Sequence, residues 1–240
     1  MREDSSKPSE FRFPSPEKAD KQGLLAIGGD LDPARVLQAY RQGIFPWYEP
    51  GCPILWWSPN PRLLLYPEHF KCTRSLKKSM KKPYELRLDT AFKEVIRLCA
   101  KVKGREGATW ITSEMMAAYE QLHQEGYAHS LEIWRNNTLV GGLYGISLGN
   151  AFFGESMFHL ERDASKIALF ELCKLCQRLN FDFIDCQLPN PHLQSLGATL
   201  VSRKIFLNRL KAALQHPIHQ GSWQSLVNAL ALPSSQPHLT

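Results

Sequence analysis

The 240-residue chain has no apolar run long enough to cross a bilayer. Its longest, such as Gly23-Leu24-Leu25-Ala26-Ile27-Gly28-Gly29, falls far short of the roughly 20 residues a spanning helix needs. The start, Met1-Arg2-Glu3-Asp4-Ser5-Ser6-Lys7, lacks the apolar stretch of a secretory signal. These absences predict a cytoplasmic protein with no membrane partner. Internal repeats are missing too, which excludes solenoids and propellers. Cys173 and Cys176 form a C-x-x-C, but no second Cys or His pair stands at finger spacing. The pair falls inside a helical pattern, so two packed thiols are expected rather than a metal or redox centre. With Cys52, Cys72, Cys99 and Cys186 they should be free thiols in a reducing cytosol.

What the chain does have is positive charge and tryptophan. A formal net charge of +6 and a pI near 9.0 favour polyanionic partners. The distribution is more telling. Thr73 can cap a short helix running to Lys82, on which Arg74, Lys77, Lys78 and Lys81 fall at i, i+3, i+4 and i+7. Such a stripe repels itself unless counter-charge arrives, and a phosphate backbone supplies it. A solvated helix face is the plain alternative.

Residues 1–22 are polar and proline-containing. Leu24 to Ile27 reads as a short strand. Asp32, Pro33 and Gly43 then give the cap, first position and stop of a helix. From Pro46 to Pro61 five prolines and three tryptophans predict no regular element. Arg62 to Tyr66 opens a second unit as a strand. Tyr84 to Leu88 is strand-like, Asp89 or Thr90 starts a helix with Phe92, Val95, Ile96 and Cys99 on one face, and Thr112 starts another that Gly126 ends. Ser130 to Trp134, a turn at Asn136-Asn137, Leu139 to Ser147, and Ala151 onward read as hairpin-connected strands. Asp163 should cap a long helix to about Leu179, Phe181 to Gln187 a strand, Arg203 to Gln215 a helix, and Leu226 to Leu230 a last short one. The order predicts an α+β fold: a small N-terminal domain, 1–61, then a domain, 62–240, with a mostly antiparallel sheet, compatible with a GNAT-like acyltransferase.

Eight strings now combine in order: Gly23 to Leu31, Gly43-Ile44-Phe45-Pro46-Trp47, Pro53 to Pro59, Thr109-Trp110-Ile111-Thr112, Gly126-Tyr127-Ala128-His129-Ser130, Gly154-Glu155-Ser156-Met157-Phe158, Ile184-Asp185-Cys186-Gln187 and Ser195-Leu196-Gly197-Ala198. From about Phe13 to about Phe206 they resemble the leucyl/phenylalanyl-tRNA–protein transferase family. The resemblance implies a small N-terminal domain before a GNAT-like catalytic domain. It implies transfer of Leu, Phe and less readily Met from aminoacyl-tRNA to proteins with N-terminal Arg or Lys, which marks them for N-degron proteolysis. Asn60 stands where an acidic residue is usual and Asp32 where Ser is, both as surface variation. The spacing at Gly107-Ala108 before Trp110 also differs slightly.

The implied reaction is aminolysis of an ester that is already activated, so neither a metal nor another cofactor nor a covalent intermediate is expected. The α-amine, with a pKa of about 8, needs only a modest base or acceptor, and the tetrahedral oxyanion needs donors. Asp185 and Gln187 stand two apart on a predicted strand and should face the same way. The resemblance puts this pair at the reaction centre, with Asp185 orienting Gln187 or taking the proton. Cys186 between them should point to the opposite face, into the core. The resemblance further assigns Trp47, Trp110 and Glu155 to the terminal adenosine, where stacking on an aromatic contributes roughly 1–3 kcal/mol per base. It assigns Leu143, Met157, Leu169 and Ile184 to the side-chain pocket. Trp56 and Trp57 are expected to pack the two domains together. His129 and His192 are read as structural, with His192 holding the loop after the Asp185 strand. Nothing requires more than a monomer. Two other readings compete. An acetyl-CoA-dependent N-acetyltransferase needs a Gly-rich loop opening a helix, but His159-Leu160-Glu161-Arg162 precedes Asp163. A non-catalytic RNA-binding module would use the basic stripe and tryptophans and leave Asp185 and Gln187 unexplained.

Overall fold

The computed structural model describes residues 12–101 and 110–229. The spacing at Gly107-Ala108 and the expected helix end at Leu230 lie outside the described residues. Three short strands, β1 (Leu24–Ile27), β2 (Phe45–Pro46) and β3 (Leu55–Trp57), form an antiparallel sheet ordered β1-β3-β2. Helix α1 (Pro33–Arg41) lies between β1 and β2 and begins as its sequence predicts. The Asp32 carboxylate accepts from Ala34 N at 2.9 Å, and Pro33 fills a position whose N–H would have no helical partner. The β3 strand corrects an expectation. Proline density argued against any regular element over 46–61, yet the prolines flank Leu55–Trp57 or, as Pro46 does, sit on an edge strand.

The larger sheet holds β4 (Arg62–Leu65), β5 (Glu85–Leu88), β6 (Ala128–Arg135), β7 (Thr138–Leu148), β8 (Ala151–His159), β9 (Phe183–Asp185) and β10 (Thr199–Val201), in the order β10-β4-β9-β8-β7-β6-β5. All neighbours are antiparallel except β8 and β9, which α5 (Ala164–Arg178) connects in parallel. The chain is thus α+β, a small N-terminal unit followed by a mostly antiparallel sheet. Asn136 and Asn137, with φ of 48° and 58°, make the β6–β7 turn. No helix among the described residues is long and apolar enough to cross a membrane.

Both faces of this sheet are covered, which is why its strands read as nearly continuous apolar runs. Leu63 and Leu65 join one core with α5 and with α8 (Trp223–Ala229), while Leu64 points to the other. That second core lies under α1, α3 (Phe92–Ala100), α4 (Ser113–Gln124) and α7 (Arg203–Ala213). Val36, Tyr40 and Trp56 of the N-terminal unit sit in the same core as Phe92, Tyr119, Phe153 and Phe206. Trp56 is buried, with its Nε1 donating to Gly28 O at 2.9 Å, and Trp57 packs partly buried against the same core.

Two helix starts differ from expectation. Asp163 adopts φ 62° and makes no capping bond to α5; its carboxylate instead accepts from Ser79 Oγ at 2.7 Å and Lys166 Nζ at 2.8 Å. At α3 neither Asp89 nor Thr90 caps. The N-cap position is Ala91, and a glutamate from a neighbouring strand, Glu132, accepts from Thr90 N and Ala91 N.

Candidate active site

The site begins at an irregularity. Tyr144 of β7 pairs with Ser156, and Gly145 pairs with Gly154, so Glu155 is one residue too many. It forms a β-bulge in the middle of β8, and a bulge re-aims the side chain it carries. Glu155 Oε1 accepts from Tyr40 OH at 2.7 Å and from Gln187 Nε2 at 2.9 Å, and Oε2 accepts from Tyr119 OH at 3.0 Å. The two phenol oxygens are 2.5 Å apart. Burial pushes the Glu155 carboxyl up to about 7; the phenols pull the other way, the Asp185 charge adds to the rise, and Arg62 opposes it. Burial first, and then the Glu155 charge, hold both tyrosines well above the usual phenol range, so they stay donors.

The strand that carries Asp185 stops short of Gln187. β9 ends at Asp185, and Gln187 adopts the left-handed φ of 62°. In a non-glycine residue that conformation costs of order 1 kcal/mol or more. Asp185 is fully buried and forks onto Arg62, Nε to Oδ1 at 2.9 Å and Nη2 to Oδ2 at 2.7 Å. It also accepts from Gln187 N at 2.9 Å. Asp185 is not among the residues that line the cavity, and it meets Gln187 through the Gln187 backbone N–H.

Beside Glu155 opens a cavity of about 350 Å³, within the range of small-molecule sites. Leu143, Met157, Leu169 and Ile184, the four residues expected to shape a side-chain pocket, all line it, together with Glu155 and Gln187. Cys186 lines it as well and packs against the core that holds α5. Its thiol sits 3.8 Å from Ile184 O, and burial raises its pKa, so it is held as a thiol and not as a nucleophilic thiolate. Cys173 and Cys176 are buried in α5 with their thiols likewise raised by burial. His192 also borders the cavity, while Asn190 takes over the loop-holding role by accepting from His192 N and Leu193 N at the start of α6 (Pro191–Ser195). His129 is buried at the far edge of the sheet, bonded through Nδ1 to Asp89 at 3.0 Å.

The expected tryptophans are not in the cavity wall. Trp47 is 40 % exposed on the N-terminal unit, with its ring edge-on to Trp57 at 5.7 Å. Trp110 is partly buried against the core that holds α4. Arg74, Lys77 and Lys78 lie exposed on α2 (Arg74–Met80) and Lys81 just past it, with no ion-pair partner among the described residues. Leu76 anchors this helix, which packs against α5, whose Ser165, Leu169 and Leu172 line the cavity. Tyr40, Tyr119 and Arg62 are the residues that sequence reasoning missed. Only Arg62 left a signal: a charge at the head of Leu63-Leu64-Leu65 must find a buried partner.

A mostly antiparallel sheet thus presents a bulged glutamate to a cavity lined by residues of β7, β8, β9 and α5. Comparison with known proteins narrows the class. The family model for leucyl/phenylalanyl-tRNA protein transferase matches residues 64–211, and that for its N-terminal domain matches residues 29–60. A leucyl/phenylalanyl-tRNA–protein transferase of Legionella pneumophila (strain Corby) is 65 % identical over 215 residues, covering 90 % of this chain and 97 % of that one. One of Lawsonia intracellularis (strain PHE/MN1-00) is 51 % identical over 212 residues, 88 % of this chain and 93 % of that one. Among solved structures, a ribosomal-protein-alanine N-acetyltransferase from Brucella melitensis biovar Abortus 2308 matches 45 % of this chain and 82 % of its own at 14 % identity and a TM-score of 0.34. The chain belongs to the leucyl/phenylalanyl-tRNA–protein transferase family and is an enzyme of aminoacyl transfer from tRNA to protein.

Proposed function

We propose that the cavity receives the side chain of Leu-, Phe- or Met-tRNA, and that the acceptor is the α-amine of a protein beginning with Arg or Lys. The reaction is direct. The amine nitrogen attacks the ester carbonyl carbon, the C–O bond to the ribose 3′-oxygen breaks, and the amine proton passes by way of Glu155 to that leaving oxygen. The observation that carries this reading is Glu155 itself, a carboxyl raised to about 7 with three side-chain donors on it, bordering an apolar cavity. An α-amine at about 8 lies within roughly one unit of it, so the proton transfer is nearly balanced. Gln187 holds Glu155 from the cavity side and presents an amide to the reacting ester. Leu143, Met157, Leu169 and Ile184 select by shape, and the exposed basic stripe on α2 neutralises tRNA phosphates. Trp47 and Trp110, which stand off the cavity wall, are proposed to meet the terminal nucleotide outside it. The enzyme acts as a cytosolic monomer, with its two units meeting between residues 61 and 62, and its products enter N-degron proteolysis.

The test is transfer from labelled Phe-tRNA to peptides that differ only in a first residue of Arg, Lys or Ala. Labelling of the Arg and Lys peptides alone is expected. Equal labelling of the Ala peptide would overturn the acceptor rule, and tRNA binding with no labelling of any peptide would overturn the catalytic reading.

A further inference from the structure

Arg62 is fully buried and lies outside the cavity, yet it is held from several sides. Its guanidinium grips Asp185 with Nε at 2.9 Å from Oδ1 and Nη2 at 2.7 Å from Oδ2, and Nη1 donates to Gly43 O at 3.3 Å. The rings of Phe45 and Phe206 lie 4.8 Å and 4.4 Å from its central carbon. Three separate parts of the chain therefore converge on one side chain: the N-terminal unit through Gly43 and Phe45, helix α7 through Phe206, and β9 through Asp185. A guanidinium held as a planar fork fixes the rotation of the carboxylate it meets, which a point-charge ammonium does not.

The fixed carboxylate has a second task. Asp185 Oδ1 accepts from Gln187 N at 2.9 Å, within the two residues over which the chain leaves β9 and turns left-handed, φ 62° at Gln187. From that turn the Gln187 side chain donates through Nε2 to Glu155 Oε1 at 2.9 Å. We propose that Arg62 is a positioning residue for aminoacyl transfer: by locking Asp185 it holds the left-handed turn that aims Gln187 at Glu155 and the cavity. The inference rests on the reading of Glu155 and Gln187 as the reacting site. It also gives the N-terminal unit a part in the chemistry, since Phe45 and Gly43 form half of the Arg62 socket.

The experiment is a double-mutant cycle on the full-length enzyme, with kcat and KM for Phe-tRNA measured on Arg62→Met, Gln187→Ala and the double variant, each well below its melting temperature. A positioning residue acts through Gln187. R62M should lower kcat about a hundredfold, the scale of a reacting group displaced by an ångström, with KM for Phe-tRNA unchanged because the cavity wall is intact. In the Q187A background R62M should then cost nothing further. A merely structural role predicts the opposite, the same loss with or without Gln187, and that additivity would overturn the proposal. Should R62M fail to fold around an unpaired Asp185, Arg62→Lys keeps the charge, loses the fork, and completes the same cycle with Q187A. A loss in Q187A beside a wild-type rate in the Arg62 variant would overturn the proposal alone. A wild-type rate in Q187A would remove the site reading and the proposal with it.

Discussion

Glu132 and Glu155 are two enclosed glutamates of one sheet, and they serve opposite ends. Glu132, on β6, is fully buried and accepts from Thr90 N at 2.9 Å, Ala91 N at 2.7 Å, Ser130 Oγ at 2.9 Å and Trp134 Nε1 at 3.1 Å, and from the Thr90 hydroxyl as well. It replaces the capping side chain that Ala91 cannot offer to α3. Among the described residues Glu155 accepts from side chains alone, two phenols and an amide delivered by α1, α4 and the turn after β9, and it borders a cavity. Burial alone therefore does not mark a site. A carboxylate saturated in part by backbone donors in a sealed place is scaffold. One held by side-chain donors at a cavity wall can exchange a proton.

Replacing each in turn breaks the comparison most sharply. Glu155→Gln keeps size and polarity and removes the proton acceptor, so kcat/KM should fall roughly 10²–10⁴-fold while the fold persists. The pH dependence has a definite sign. The folded carboxyl titrates near 7, above the unfolded value of about 4.3, so the native state binds the proton more tightly. Glu155 thus loses the fold stability as pH rises from about 4 to 7, and that loss stays constant above. Activity runs the other way and falls as pH drops below 7. E155Q should lose that acid limb and melt no lower than the parent at pH 8. A pH–rate profile beside thermal melts decides it; an unchanged profile in E155Q would leave the two glutamates equivalent. Glu132→Ala should do the reverse. It strands several donors and costs about 3 kcal/mol of stability, yet the rate per folded molecule stays that of the parent in an assay run below its melting temperature.

A finer cut divides the cavity from the acid–base group. Leu169→Ala widens a wall that α5 supplies without touching Glu155's donors. The ratio of kcat/KM for Phe-tRNA over Leu-tRNA should rise about tenfold, the scale set by a side chain or two in an apolar pocket, with the pH profile unmoved. A changed profile would mean that cavity shape and proton transfer are one device.

Much of this was legible in the sequence wherever a residue acts locally. Asp32, Thr73 and Thr112 cap their helices through their own next turn, Asn136-Asn137 turns the hairpin, and Leu143, Met157 and Ile184 on strands and Leu169 on a helix face the cavity as their local periods set them. What failed were residues whose partners are distant in the chain. Tyr40 reads as one apolar position of an amphipathic helix, and only the fold sets it against a glutamate 115 residues away. The end of β9 was missed for a subtler reason. Period-two reasoning assumes that the strand continues, and a left-handed residue at 187 ends it two positions early. Asp163 misled in the same way: a good capping residue with φ 62° aims its carboxylate elsewhere.

The smallest effect belongs to the exposed basic face of α2, and it asks whether surface charge and buried site are separable. Arg74, Lys77, Lys78 and Lys81 are exposed, and nothing among the described residues neutralises them. If they meet phosphates, each contact releases about one counterion, so each charge removed should reduce the slope of log affinity against log salt by about one. Lys77→Ala and Lys78→Ala together should lower that slope by about two, raise KM for Phe-tRNA at physiological salt, and leave kcat alone. Leu76 stays in place to anchor α2, and the melting temperature should hold or rise slightly as like charges separate. Binding curves at several salt concentrations read the slope directly. An unchanged slope would make the stripe a solvated face and send the search for the tRNA track to another surface. A fall in kcat would mean that α2, through its packing on α5, transmits to the cavity, and that the site is not insulated from its surface.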